Sequence, residues 1–120
     1  MRKKNIVQYS RDFDKIIKNG RFVKNKEFVI YYINNNLDDY RFGISVSKKI
    51  GNAVCRNYYK RIIRNIIDNN KKCLKNLDYI VITRKACTFI KYNDIEKSIV
   101  YLLEKVEKEI LWKRKWNMLL

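Results

Sequence analysis

The segment most suggestive of chemistry is a cationic stretch in the middle of the chain. Seven basic residues and no acidic residue lie between Arg41 and Ile67, although acidic residues occur on either side. At about 100° per residue, a helix here would place Arg56, Lys60 and Arg64 one turn apart. Solvated helix faces usually mix charge signs, because like charges at i,i+4 repel each other. The pattern therefore favours phosphate binding over a merely solvated face.

The same helical projection divides this segment into two arcs. One arc is apolar and is predicted to be buried, whereas the other is almost purely cationic, and two residues mark the seam between them. The apolar arc contains Val54, Cys55, Tyr58, Tyr59, Ile62, Ile63 and Ile66, the cationic arc Ala53, Asn57, Lys60, Arg61 and Arg64, and the seam Arg56 and Ile67.

Composition supports a polyanionic partner and argues against a self-sufficient enzyme. The 120 residues carry 28 Lys and Arg against 12 Asp and Glu, a net charge of +16, and no His. Such a charge favours nucleic acid as the partner, although a Lys-, Asn- and Ile-rich composition also arises from nucleotide bias in a genome. The chain lacks the commonest general base, and we find no Gly-rich phosphate loop or nucleophile elbow.

The cysteines and the N-terminus indicate the cellular compartment. Cys55, Cys73 and Cys87 are odd in number and form no CxxC pair, which argues against a disulfide framework and a structural zinc site. The basic N-terminus lacks an apolar signal region, and no stretch approaches the roughly 20 apolar residues needed to cross a bilayer. We therefore expect a reduced, cytoplasmic protein.

The flanking sequence predicts the elements that would position the cationic segment in a single domain. Strand Tyr79–Thr83 is apolar on both faces and is therefore expected to be central, and a polar stretch suggests a hairpin between the second and third strands. A helical apolar stripe from Ile95 to Ile110 is expected to be core, and residues 113–120 are expected to fray unless Trp112 and Trp116 fold back. The predicted order is a helix capped by Ser10 and ended by Asn19-Gly20, strands Arg21–Lys24, Phe28–Asn34 and Tyr40–Val46, a helix capped by Asn52 and reaching about Asn69, strand Tyr79–Thr83, and a helix capped by Asn93.

The continuous run from Gly43 to Arg64 resembles the signature of the bacterial ribonuclease P protein family. In that family a strand ending in Ser-Lys-Lys enters a helix through Gly-Asn-Ala, and the helix carries Arg-Asn-Arg followed by Lys-Arg. The present chain has Ser47-Lys48-Lys49, Gly51-Asn52-Ala53, Arg56-Asn57-Tyr58 and Lys60-Arg61 in the same order. The resemblance covers roughly residues 8 to 110.

The resemblance implies an architecture and a function. The fold would be α+β, a single-domain αβββαβα sandwich with a mixed four-stranded sheet and a left-handed βαβ crossover, like domain 2 of ribosomal protein S5. The protein would assist a catalytic RNA that uses Mg²⁺ to remove the 5′ leader from precursor tRNA, and it would itself supply no catalytic residue and hold no cofactor. Its partners would be that RNA and precursor tRNA, without DNA or membrane.

The resemblance also implies two RNA-binding surfaces. One would contact the catalytic RNA through Lys48, Lys49, Asn52, Arg56, Asn57, Lys60, Arg61 and Arg64. The other, a cleft between the first helix and the sheet, would hold the single-stranded leader through Phe13, Ile17, Val29 and Tyr31. Aromatic residues in such elements are more often core. Two positions depart from the family: Tyr58 replaces the second Arg of the Arg-Asn-Arg motif, and Ile17 stands where an aromatic residue is frequent.

Three other functions compete with this interpretation. A plain RNA-binding module, such as a ribosomal protein, is compatible with the same fold. A DNA-binding protein would insert the basic helix into the major groove, but half of that helix is committed to burial and no dimerisation segment is evident. A membrane-surface protein would need the apolar helix face, which the apolar strands already require as a cover.

Overall fold

The elements follow the predicted order αβββαβα in a computed structural model that describes residues 3–119. Short 3₁₀ turns at Lys3–Asn5, Lys71–Cys73 and Lys85–Phe89 supplement them. The helices and strands are α1 (Ser10–Asn19), β1 (Arg21–Lys24), β2 (Phe28–Asn34), β3 (Arg41–Val46), α2 (Ala53–Asn69), β4 (Leu77–Thr83) and α3 (Tyr92–Leu119).

The four strands form one mixed sheet in the order β1-β2-β4-β3. Strand β2 is antiparallel to both β1 and β4, whereas β3 runs parallel to β4. The prediction that β4 is central is confirmed, because it pairs with a strand on each side. The connection from β3 through α2 to β4 is the expected βαβ crossover. Its left-handed sense stays a prediction.

The predicted hairpin between β2 and β3 is wrong, because β4 lies between these two strands. The hairpin joins β1 to β2 instead, and its turn is built by Asn25, whose Oδ1 accepts from the backbone N–H groups of Glu27 and Phe28. The polar stretch after β2 passes the start of β4, where the Asn35 side chain donates to Asp78 Oδ1 at 3.0 Å. Because β4 is apolar on both faces, it takes a central place in the sheet. This central place separates β2 from β3.

The two faces of the sheet are covered unequally. Helices α2 and α3 bury one face in a large apolar cluster that includes the predicted α3 stripe, with Ile110 packed at its margin. Helix α1 covers the other face only in part, through a small cluster of Val7, Ile16 and Ile80. Fully burying an aliphatic side chain contributes about 1.5–3 kcal/mol, so the α2–α3 side anchors the fold. The α1 side retains partly exposed apolar residues on β2.

Helix ends differ from the prediction in three places. Tyr9, not Ser10, occupies the N-cap of α1, and its carbonyl accepts from the N–H groups of Asp12 and Phe13. Helix α3 already begins at Tyr92, so Asn93 lies in its first turn. The tail expected to fray is helical up to Leu119, and Leu120 lies outside the described residues. By contrast, the predicted Asn52 cap of α2 is confirmed, with its side chain accepting from Cys55 N at 3.0 Å.

A buried ion pair ties β3 to β4 at the end of the sheet where both strands begin. The Arg41 guanidinium donates through Nε to Asp78 Oδ1 at 2.8 Å and through Nη2 to Asp78 Oδ2 at 2.5 Å. The hydrogen bonds from Arg41 to Asp78 raise the pKa of the guanidinium above its usual value. Arg41 is therefore structural, and the solvent-facing charge of the cationic segment comes from residues further along the chain.

Candidate nucleic-acid interface

The predicted cations of α2 form one solvent-facing surface. We call this surface the cationic face. Arg61 and Arg64 are exposed, while Arg56 and Lys60 are partly buried. Within residues 3–119, no carboxylate lies at ion-pairing distance from any of these four side chains. The residues of the cationic face are Lys48, Lys49, Asn52, Arg56, Asn57, Lys60, Arg61 and Arg64.

The opposite side of α2 anchors the cationic face to the core. Ile62, Ile63, Ile66 and Ile67 are buried, and Tyr59 packs against their cluster. Burial raises the pKa of Tyr59 above its usual value, with smaller contributions from Cys87 and Cys55, so its hydroxyl stays neutral at physiological pH. Half of the helix is thus held rigidly against the sheet, and this fixes the direction in which the cations point.

The first two turns of α2 depart from the predicted burial. Val54 is 78% exposed and Tyr58 is 49% exposed, although both lie on the predicted apolar arc. Conversely, Ile67, which was placed at the seam, is fully buried. The Tyr58 ring meets the Tyr59 ring edge-on, with centroids 5.4 Å apart. The apolar arc is therefore covered only from Tyr59 onwards, and Tyr58 stands at the surface beside the cationic face.

Lys48 and Lys49 extend the cationic face beyond the helix. Both are exposed in the turn between β3 and α2, where the N–H of Ile50 donates to the carbonyl of Ser47 at 3.1 Å. Ile50 itself is buried and holds the turn against the domain. Asn52 next to it uses its Oδ1 as the helix cap. The turn therefore presents two lysines ahead of Arg56, the first basic residue of α2.

The second predicted surface lies on the partly covered face of the sheet, and we call it the aromatic cleft (Phe13, Ile17, Val29 and Tyr31). Phe13 and Tyr31 pack against the same cluster of Val7, Ile16 and Ile80 without being fully buried. Val29 is two residues from Tyr31 on the same strand face, and Ile17 is 37% exposed at the edge of α1. The structure thus groups Phe13 with Tyr31, and it places Ile17 and Val29 at the margins.

A residue missed by the sequence analysis enlarges this cleft. Phe22 on β1 pairs in register with Tyr31 and is 52% exposed. Its ring centroid lies 5.5 Å from that of Tyr31, with the planes tilted by 45°. The available signal was alternation along β1: Val23 is buried, so its neighbour Phe22 points to the opposite face of the sheet. Placing Phe22 in the cleft from this signal requires the β1–β2 register.

The two predicted surfaces meet at the edge of the sheet that β3 forms. A small cavity of about 80 Å³ there is lined by Phe13 and Gly43 together with Lys60 and Arg64 of the cationic face. The N-terminal segment forms the outer wall, because Val7 N–H donates to the carbonyl of Phe42 at 2.8 Å. Neither this docking nor the cavity was predicted. An aromatic platform and unpaired cations thus lie side by side.

Metal-binding clusters and membrane-spanning helices are both absent from the described residues. Within residues 3–119, no group of three or more His, Cys, Asp or Glu side chains is placed to hold a metal ion. Across the same residues, no helix combines the length and apolar character that crossing a membrane requires.

Comparison with known proteins places the chain in a family. The Ribonuclease P family model matches residues 1–107. A ribonuclease P protein component of Streptococcus agalactiae is 41% identical over 104 residues, covering 87% of this chain and 95% of that protein. One of Bacillus pumilus is 41% identical over 107 residues, covering 88% and 90%.

Solved structures agree with the sequence matches. The ribonuclease P protein of Staphylococcus aureus superimposes with a TM-score of 0.80 at 39% identity, covering 85% of this chain and 94% of that one. That of Thermotoga maritima gives a TM-score of 0.78 at 33% identity, covering 82% and 94%. The chain therefore belongs to the ribonuclease P protein family, with the partnership with ribonuclease P RNA and the role in tRNA 5′ processing that membership implies.

Proposed function

We propose that this protein is the accessory subunit of an endoribonuclease whose catalytic centre is RNA. It binds the ribonuclease P RNA through the cationic face and the 5′ leader of precursor tRNA through the aromatic cleft. It thereby assists the Mg²⁺-dependent removal of the leader in the cytoplasm, and the protein alone is inactive.

The observation that carries this proposal is the junction of the two surfaces at the edge of β3. Lys60 and Arg64 line the same cavity as Phe13, so an RNA strand lying in the cleft would run towards unpaired positive charge. Single-stranded RNA is held well by such a combination, because each base has a face to stack and each phosphate a charge to neutralise. A surface evolved only for solvation would not place an aromatic cleft beside unpaired cations.

The side chains present support this division of labour. The chain contains no His, and the described residues supply no cluster of carboxylates for a metal ion. These residues do not fit a protein-held Mg²⁺, so we assign the metal to the RNA. The task of the protein is to offset phosphate repulsion between two RNAs and to hold the leader.

Single-turnover cleavage of precursor tRNA by the cognate RNA, at low Mg²⁺, tests the cationic face. Wild-type protein is expected to restore cleavage, whereas an Arg56→Ala, Lys60→Ala, Arg64→Ala variant is expected not to. The matched control is Lys26→Ala, Lys85→Ala, Lys97→Ala, which removes the same charge from exposed positions elsewhere. The cationic-face variant should also bind RNA with a shallower salt dependence, by about 0.7–0.9 in slope per lost phosphate contact.

Four outcomes would contradict the proposal. Equal loss of cleavage in the two triple variants would mean that the net charge of the protein, and not the cationic face, accounts for the stimulation. Wild-type binding without any effect on cleavage, or a preference for ribosomal RNA, would favour a general RNA-binding module. Correct cleavage by the protein without any RNA subunit would overturn the assignment of catalysis to RNA.

A further inference from the structure

A second cationic region lies in a groove beside the C-terminal part of α3. The groove has a volume of about 720 Å³, within the range of roughly 300–1,000 Å³ typical of ligand sites. Four cations from three separate parts of the chain line it: Arg21, Lys75, Lys113 and Arg114. The side-chain amides of Asn34, Asn76 and Asn117 add hydrogen-bonding groups that suit phosphate and base edges alike.

The carboxylates near this groove offset only part of its positive charge. Glu109 is the one carboxylate among the described lining residues, and it accepts a hydrogen bond from the Tyr32 hydroxyl. Glu107 lies 3.3 Å from Lys75 through an exposed ion pair, which is worth little in solution. No acidic residue follows Glu109 in the sequence, whereas Lys113, Arg114 and Lys115 are consecutive. The groove and the helix end therefore attract a polyanion.

Two exposed tryptophans lie on the same part of α3 as the lining residues. Trp112 is 61% exposed and Trp116 is 49% exposed, with ring centroids 5.9 Å apart in an edge-to-face arrangement. At about 100° per residue, Trp116 projects about 60° away from Lys113, next to the wall that α3 contributes. Large aromatic rings held in water beside cations are unusual for a structural role and provide stacking platforms for nucleic-acid bases.

Among the described residues, the groove shares no lining residue with the cationic face or the aromatic cleft. It lies at the end of the sheet where β2 finishes and β4 begins, at the Asn34–Leu77 pair. The Lys48-Lys49 turn follows β3 at the opposite end, where Val46 pairs with Thr83. The family model ends at residue 107, so the tryptophans and the last cations belong to an extension outside the part that the family defines.

We propose that the groove and the Trp112–Trp116 pair form an additional binding site for a single-stranded RNA segment. The phosphates lie against Arg21, Lys113 and Arg114, and unpaired bases stack on the tryptophans. A bilayer fits less well, because the cations and amides line a concavity instead of a flat apolar surface. The inference rests on the proposed RNA-binding function and assigns it a second contact on the same domain.

Intrinsic fluorescence tests this site selectively, because Trp112 and Trp116 are the two tryptophans of the chain. The probe is a short single-stranded oligoadenylate, with excitation at the red edge where tyrosine does not absorb. We expect saturable, salt-sensitive quenching. A Lys113→Ala, Arg114→Ala variant should bind roughly tenfold more weakly, as expected for two lost solvent-exposed charge contacts. Lys85→Ala, Lys97→Ala removes the same charge elsewhere and should bind like wild type. Circular dichroism checks that α3 remains helical in both variants.

The α2 triple variant separates this inference from the proposed function. Arg56→Ala, Lys60→Ala, Arg64→Ala should retain quenching by oligoadenylate while losing stimulation of cleavage. If quenching disappears in that variant, the strand binds elsewhere and the groove site is refuted, while the proposed function stands. If wild type shows quenching without stimulating cleavage, the proposed function fails and the groove site stands.

Two further results would overturn the choice of partner. A blue shift with vesicles of anionic phosphatidylglycerol, without quenching by oligoadenylate, would identify a membrane surface. A blue shift that depends only on protein concentration and accompanies a dimer mass would identify a second copy of this chain.

Discussion

The ring of Phe13 lies so close to the backbone of Gly43 that a β-carbon at position 43 would come within 2.5 Å of the Phe13 Cζ atom. The same β-carbon would lie 2.7 Å from Ile80 Cδ1. Gly43 thus lets α1 settle on the sheet, and it sets the depth at which Phe13 sits in the aromatic cleft. The family signature begins at this glycine. Its close contact with Phe13 explains why a residue without a side chain occupies position 43.

Replacing Gly43 by Ala should therefore disturb both stability and the cleft. Inserting a methyl group into a packed site typically costs about 1–3 kcal/mol, and urea unfolding measures this loss. Because Phe13 would have to move, the preference for precursor over mature tRNA should fall. The affinity for ribonuclease P RNA should change less than this preference, since α2 is anchored through its apolar side on the other face of the sheet.

A double-mutant cycle identifies the contact responsible. In a Phe13→Ala background the ring is absent, so Gly43→Ala should cost at least about 1 kcal/mol less than in the wild type. An undiminished cost in that background would show that the contact with Ile80, and not with Phe13, makes alanine unfavourable.

Phe22 extends the aromatic cleft and is expected to contact the leader. Because Phe22 is half exposed and lies beside Tyr31, Phe22→Ala should leave the fold intact. It should weaken binding of leader-bearing precursor tRNA by about 1 kcal/mol, near the lower end for base stacking. Phe89→Ala is the matched control, because Phe89 is 79% exposed and precedes α3 outside the cleft. Equal effects of the two substitutions on precursor binding would remove Phe22 from the leader site.

Local patterns in the sequence were sufficient for the elements and for much of the core. The run of Ile62, Ile63 and Ile66 predicted the buried side of α2 correctly, because helical periodicity determines the direction in which a side chain points. The same periodicity placed Val54 and Tyr58 in the buried arc, although both are exposed. Periodicity says nothing about whether another element lies opposite, and within residues 3–119 none buries these two residues.

Features that depend on distant parts of the chain were not predictable in the same way. The polar stretch after Asn34 is compatible with a hairpin or with a connection that passes over a strand, and only the pairing of β4 decides between them. The contact of Phe13 with Gly43, and the cavity that joins Phe13 to Lys60, likewise require the packing of α1 on the sheet. The family resemblance supplied the grouping of the aromatic cleft, which composition and spacing do not contain.

Stability should fall at alkaline pH because of Cys87. Burial, with a smaller contribution from Glu27, raises the pKa of the Cys87 thiol from 9.0 to about 11. Between these values the unfolded chain loses the thiol proton while the folded protein retains it. The contribution of Cys87 to the free energy of unfolding is therefore fully present below about pH 9. It is lost as the pH rises to about 11, which lowers the free energy of unfolding by up to about 2–3 kcal/mol.

Comparison with Cys87→Ala isolates this titration in urea unfolding between pH 8 and pH 12. Burial also raises the pKa of Tyr79, to about 12, but Tyr79 is present in both proteins and its contribution cancels in the difference. The variant should show a constant loss from the smaller side chain and a shallower decline with pH. Parallel curves for the two proteins would show that Cys87 does not titrate differently in the folded state.

Tyr58 offers a gain-of-function test of the cationic face, because it stands where the family motif carries its second Arg. Its side chain is half exposed, and its one described ring contact is with Tyr59, so Tyr58→Arg should change stability by less than about 1 kcal/mol. The new guanidinium would add one phosphate contact, which should tighten binding to ribonuclease P RNA roughly fivefold at low salt. It should also steepen the salt dependence of RNA binding by about 0.7–0.9 in slope.

Asn69→Arg is the control, because it adds the same charge at the exposed far end of α2. An equal gain in affinity there would mean that the net charge of the protein accounts for the effect. A gain confined to position 58 would show that this surface, and not the overall charge of the protein, contacts the RNA.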